Sequence, residues 1–133
     1  MTTRQQVVDE ARKWLGVRWH HQGRTTAGID CIGLVIKVAH ALELSTFDVI
    51  DYSRQPDPTM LKSLMAQHMN PVESQQVGDV LLMRFETEPQ HVAILTETGI
   101  IHAYAQARKV VEHRFDSLWQ SRVLGVFAYK GIE

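Results

Sequence analysis

Three residues in this chain carry types and placements that could do covalent chemistry: Cys31, His91 and His102. Cys31 is the only cysteine. Asp30, a good N-cap residue, stands directly before it, and Leu34, Val35, Val38 and Leu42 follow at helical spacing. The spacing predicts Cys31 in the first turn of a helix, where unpaired N–H groups and the helix dipole favour a thiolate and can lower a cysteine pKa to roughly 3.5–7.5. By itself, a lone cysteine on the apolar face of a helix is more often an inert core residue. The histidines add what the cysteine lacks. His91-Val92-Ala93-Ile94-Leu95 and Ile100-Ile101-His102-Ala103-Tyr104 read as two strands around Thr96-Glu97-Thr98-Gly99. A two-residue or a four-residue loop gives one register, with Ala93 opposite His102 and His91 opposite Tyr104. His91 and His102 then share a face as diagonal neighbours. A cysteine at a helix start and two adjacent imidazoles suit nucleophilic attack on a carbonyl carbon: thiol, general base, and a second ring orienting the base. The Cys31 N–H is placed to help stabilise an oxyanion. No cofactor is required. Zinc held by Cys31, His91 and His102 with His20 or His21 is the competing chemistry, but no recognisable zinc spacing is present.

The elements that must position these groups follow a simple order. Arg4 to Leu15 is expected as a first helix, with Val7, Val8, Ala11, Trp14 and Leu15 as its apolar stripe and Gly16 as its stop. A polar loop rich in aromatics and imidazoles, Val17 to Thr26, leads to the Cys31 helix, expected to run to about Leu44, with His40 solvated on its polar side. Ser45 to Pro58 is irregular, with turn signals over 51–58. A short helix is expected from about Thr59 to Met69, ended by Asn70-Pro71 and carrying His68 near its C-terminus. From Gln76 the period changes: a turn at Val77-Gly78-Asp79, a buried strand at Val80 to Phe85, a loop at 86–90, the two histidine strands, then strands at Lys109 to Phe115 and Val123 to Tyr129. His113 shows neither partner nor motif and is expected at the surface. Helices followed by a small antiparallel sheet make an α+β fold in a single domain, residues 1–133.

Composition limits the alternatives. The chain has 133 residues, a net charge of −1 and 22% charged residues, as in an ordinary globular domain with one core. It has no basic excess that would point to nucleic acid. No apolar run is long enough for membrane insertion, and the N-terminus lacks the apolar core of a signal peptide. The expectation is synthesis in the cytoplasm, with delivery by something other than a signal peptide in this chain. A single cysteine excludes an internal disulfide.

Gly28-Ile29-Asp30-Cys31-Ile32-Gly33-Leu34-Val35 resembles the Asp-Cys-Ser-Gly-Leu signature of the NlpC-type cysteine peptidases, papain-like enzymes that cut bacterial cell-wall peptides. Gly78-Asp79-Val80-Leu81-Leu82 resembles the Gly-Asp-Leu strand of that family, His91 to Leu95 its His-Val-Gly-Ile-Tyr strand, and Ile101-His102-Ala103 its Ile-His-Ala strand. Order and spacing agree from about Val7 to Phe127. The resemblance implies a papain-like core with the nucleophile helix packed on the sheet, Cys31 as nucleophile, His91 as base, His102 as orienting residue, and a peptidoglycan stem peptide as substrate. Residues 16–28 look closest to a phage-associated branch, which implies a protein carried in the virion or tail, with phage tail proteins as partners. In the family an upstream Tyr, the Ser after the nucleophile and the Asp before it help hold the free amine end of the peptide. This chain has Trp19, Ile32 and Asp30 at those substrate-binding positions, so only Asp30 is kept. Two other functions stay open: an amidase or acyltransferase using the same residues, and a non-enzymatic tail assembly subunit with a vestigial site.

Overall fold

The computed structural model describes residues 1–54, 57–85 and 88–132. Helix α1 (Arg4–Arg12) opens on a capping box in which the Thr3 side chain accepts from the Gln6 N–H and the Gln6 side chain from the Thr3 N–H. It buries Val7, Val8 and Ala11 as the stripe predicts. It ends before Leu15 because the chain turns into Gly16, at φ +85°, whose N–H pairs with the Val110 carbonyl. A two-stranded ribbon, β1 (Arg24–Thr25) and β2 (Gly28–Ile29), then delivers the chain to α2 (Cys31–Ala41). The Asp30 side chain caps α2 by accepting from the Gly33 N–H at 2.8 Å. The helix stops short of Leu44, with Glu43 at φ +58°. His40 is not freely solvated as expected: its Nε2 hydrogen-bonds the Phe47 carbonyl at 2.7 Å.

Helix α3 (Pro58–His68) is capped by Asp57, and β3 (Met69–Pro71) follows where a helix end was expected. Next come β4 (Val80–Phe85), β5 (Glu88–Leu95), β6 (Ile100–Tyr104), β7 (Lys109–His113), a four-residue helix α4 (Ser117–Gln120) and β8 (Val123–Tyr129). Of the loop expected at 86–90, residues 86 and 87 lie outside the described residues, and 88–90 belong to β5. Residues 55 and 56 of the turn-rich 51–58 stretch also lie outside them. Strands β3 to β8 form one antiparallel sheet in the order β3-β8-β4-β5-β6-β7. The α+β architecture read from the sequence is the one observed.

Alternation along the strands gives the sheet two faces. Val80, Leu82, Val92, Ile94, Ile101 and Ala103 pack with α1, α2 and α3 in the main core. Leu81, Met83, Ala93, Leu95 and Ile100 pack on the other face beneath Trp119 of α4. Two ion pairs tie the helical layer to the sheet. Arg4 meets the buried Asp79 at 2.6 Å, and Arg12 meets Glu112 of β7 through two hydrogen bonds. Thr96 and Thr98 also donate to Glu112. Hydrogen bonds from Arg12, with those from the threonines, hold the Glu112 carboxyl down to about 2.

Candidate active site

Cys31 is the first residue of α2, half-buried and free of any disulfide. Its placement depends on where β5 and β6 part. The two strands pair through Ile94–Ile101 and Leu95–Ile100, and that ladder goes no further toward the start of β5. Amides alternate sides along an antiparallel strand, so the Val92 N–H faces the β6 side, as Ile94 does. It is turned instead to the sulfur of Cys31, which also meets the N–H groups of Cys31 and Ile32. The nucleophile helix therefore delivers its thiol one residue from His91.

The register deduced from the sequence is observed, and it brings the two histidines together. His91 and His102 are buried, and His91 Nε2 lies 2.5 Å from His102 Nδ1. His91 is thus held through Nε2. His113 is a correction to the surface position expected for it. Ile100 pairs with His113 and His102 with Val111, so His113 is the diagonal neighbour of His102 on the same face. His102 Nε2 lies 2.8 Å from His113 Nε2. The diagonal His91–His102–His113 thus crosses three adjacent strands. The step from His102 to His113 obeys the rule that relates His91 to His102. It was missed because β6 and β7 are joined by a 3-10 turn at Ala105–Ala107 and a left-handed Arg108, which no simple hairpin loop announces. Tyr104 stacks on the His102 ring at 5.0 Å, and Trp119 meets it edge-on at 5.0 Å. Helix α4, not anticipated from the sequence, is capped by Asp116 and serves to lay Trp119 over His102 and His113. Arg122 in turn covers the Trp119 ring.

The electrostatics differ from the lowered cysteine pKa expected of a helix start. Burial, joined by the neighbouring Asp30 carboxylate, pushes the Cys31 thiol up to about 12 against the three N–H groups that favour the thiolate. Burial, with Arg122 and His113 nearby, pushes His91 down to about 3. The resting pair is a neutral thiol and a neutral imidazole.

Asp30 is fully engaged by the protein. Oδ1 takes the Gly33 N–H and Arg24 Nη1; Oδ2 takes the Gln22 N–H and the Tyr52 hydroxyl at 2.6 Å. Tyr52 and Arg24 also touch each other, at 2.9 Å. Asp30 thus anchors the loop before the nucleophile. A tyrosine hydroxyl does meet this aspartate, but it comes from the irregular stretch after α2, where no periodicity marks it. Trp19 is half-buried, with the Arg54 guanidinium over its ring at 5.0 Å. Ile32, expected at a substrate-contacting position, is buried in the core. It lines an open apolar pocket together with Val35, Phe47, Leu61, Met65 and Val92. Among the described residues no group of three His, Cys, Asp or Glu side chains is arranged to hold a metal ion. His20 Nδ1 instead bonds the His21 carbonyl. Among the same residues no helix is long and apolar enough to cross a membrane.

A helix-borne cysteine packed against a histidine-bearing antiparallel sheet defines a papain-like arrangement. The pattern of the NlpC/P60 family matches residues 16–128, and the chain belongs to that family. Among curated relatives it is 25% identical over 122 residues to the murein DD-endopeptidase MepS/murein LD-carboxypeptidase of Escherichia coli K12, covering 87% of this chain. The chain spans 57% of that relative's length. Among solved structures, the NlpC/p60 domain of the peptidoglycan hydrolase SagA aligns over 96% of this chain and 99% of its own, at 22% identity and a TM-score of 0.66. An NlpC/P60 family protein from Bacillus cereus ATCC 10987 aligns over 96% of this chain and 40% of its own, at 17% identity and a TM-score of 0.72.

Proposed function

We propose that this chain is a cysteine peptidase that hydrolyses amide bonds in the stem peptides of bacterial peptidoglycan. The observation that carries the reading is the pairing of His91 Nε2 with His102 Nδ1, one residue along the strand from Val92, whose N–H meets the Cys31 thiol. The relatives' names, murein endopeptidase and peptidoglycan hydrolase, support the substrate class. In this mechanism Cys31 Sγ attacks the carbonyl carbon as its proton passes to His91 Nδ1. The two are coupled, because neither the thiolate nor the imidazolium is the resting form. The oxyanion forms near the helix start, where the Cys31 and Ile32 N–H groups are within reach. Collapse breaks the C–N bond, and the His91 proton leaves on the amine. Water, giving a proton to His91, then hydrolyses the thioester and restores the thiol. His102 orients the base throughout.

Digestion of purified peptidoglycan followed by mass spectrometry tests this reading. The expected products are muropeptides cut within the stem peptide, each bond gaining one water. Products cut between sugar and peptide would reassign the enzyme as an amidase, and acyl-transferred products as an acyltransferase. No product at all would leave the assembly-subunit reading. The place of action we propose is a phage or prophage tail, supported by the resemblance of residues 16–28 to the phage-associated branch. Purified virions are expected to contain the chain, and its absence from them would remove this part of the reading.

A further inference from the structure

We infer that His113 is a positioning residue that sets the tautomer of His91 through His102, so that Nδ1 of His91 carries a lone pair. The argument starts at the far end of the diagonal. His113 Nδ1 lies 2.9 Å from the Arg114 carbonyl oxygen. A carbonyl only accepts, so Nδ1 of His113 carries the hydrogen, and in the neutral ring Nε2 is then an acceptor. That acceptor sits 2.8 Å from His102 Nε2, which must donate. Neutral His102 is left with a lone pair on Nδ1, 2.5 Å from His91 Nε2, which must donate in turn. Neutral His91 therefore has its lone pair on Nδ1, the form able to take a thiol proton. One backbone carbonyl, read through three rings, selects the basic nitrogen.

The chain also has a direction. Each donor points from His91 toward the Arg114 end, so positive charge arising on His91 is met by aligned dipoles that end on the Arg114 oxygen. Without His113, His102 Nε2 would face water, which donates as readily as it accepts, and both tautomers of His102 and His91 would populate. The fold holds His113 in place by two further contacts. Glu112, next to it on β7, is clamped by Arg12, and Gly99 allows the hairpin to close on the His113 carbonyl, where any Cβ would collide.

The role of His113 in catalysis rests on the peptidase reading above; the tautomer assignment does not. The test compares wild type with His113→Ala and His113→Glu, the latter restoring an acceptor that cannot donate when ionised. Ring-nitrogen NMR of ¹⁵N-histidine-labelled protein is expected to show wild-type His91 protonated at Nε2 and bare at Nδ1. His113→Ala is expected to give a mixture at His91 and His102, with kcat on peptidoglycan down about tenfold and KM within about twofold, since a wrong tautomer removes the base without altering binding. His113→Glu is expected to restore the wild-type spectrum and kcat to within about threefold. A hydrogen on Nδ1 of His91 in wild type, or a wild-type spectrum and kcat in His113→Ala, would overturn the inference. If the wild type does not cleave peptidoglycan, the peptidase reading falls, and the spectra alone uphold or overturn the tautomer assignment.

Discussion

Replacing Cys31 with alanine is expected to lower cleavage of purified peptidoglycan by more than roughly 10³-fold, because the covalent route is lost outright. His91→Ala is expected to cost about 10²–10⁴-fold, the usual contribution of a positioned general base. The pH dependence follows from the resting charges. The thiol is pushed up to about 12 and His91 down to about 3. A group with a raised thiol pKa stays protonated through neutrality, and a base with a depressed pKa stays unprotonated there. The competent neutral pair therefore persists across neutral pH, and kcat/KM is expected to be flat from about pH 5 to pH 9. For the same reason iodoacetamide should alkylate resting Cys31 slowly at pH 7 and faster only in alkaline solution. Rapid alkylation at neutral pH that disappears in His91→Ala would instead establish a preformed thiolate–imidazolium pair, and would refute the coupled proton transfer proposed here.

The largest effect on the fold is expected at Asp30. Its side chain is buried and serves Arg24, Tyr52 and the N–H groups of Gln22 and Gly33. Asp30→Ala leaves the buried Tyr52 hydroxyl without its acceptor, takes one of several acceptors from the half-buried Arg24 guanidinium, which keeps Asp48, and removes the cap of the nucleophile helix. Losing a helix cap and a buried hydrogen-bond acceptor together costs about 2–4 kcal/mol, which corresponds to a fall in Tm of roughly 8–16 °C for a chain of this size. Asp30→Asn keeps one acceptor oxygen and is expected to cost less. Removing the charge should also bring the Cys31 thiol down, since the Asp30 carboxylate helps to raise it. Thermal melts together with KM separate the two roles open to this residue. An anchor shows as a loss of Tm; a carboxylate reserved for the substrate's amine would show as a raised KM at unchanged Tm.

Much of the fold was legible because its signals are local. The capped helix at Cys31, the turn at Val77-Gly78-Asp79 and the alternating strands each depend on neighbours a few residues away. Even one long-range feature could be read, since the short loop after Leu95 leaves a single register for β5 and β6, and that register brings His91 to His102. Where a connection was irregular, the reading stopped. The Arg108 turn hid the register of β7 and with it His113. The stretch after α2 has no periodicity, so nothing marked Tyr52 as the partner of Asp30. Helix α4 is too short for a periodic pattern, and Trp119 went unassigned.

By itself the sequence determined which residues can do chemistry, on which elements they stand, and which two histidines share a face. Those properties follow from residue type and from the periods of helix and strand. Only the tertiary structure decided their charge and their partners. Burial reversed the expected shift of the Cys31 thiol, Arg24 and Tyr52 took up Asp30, and the packing of β7 against β6 added a third imidazole to the line. Desolvation and contact between distant segments are properties of the packed chain, and no spacing rule along the sequence encodes them.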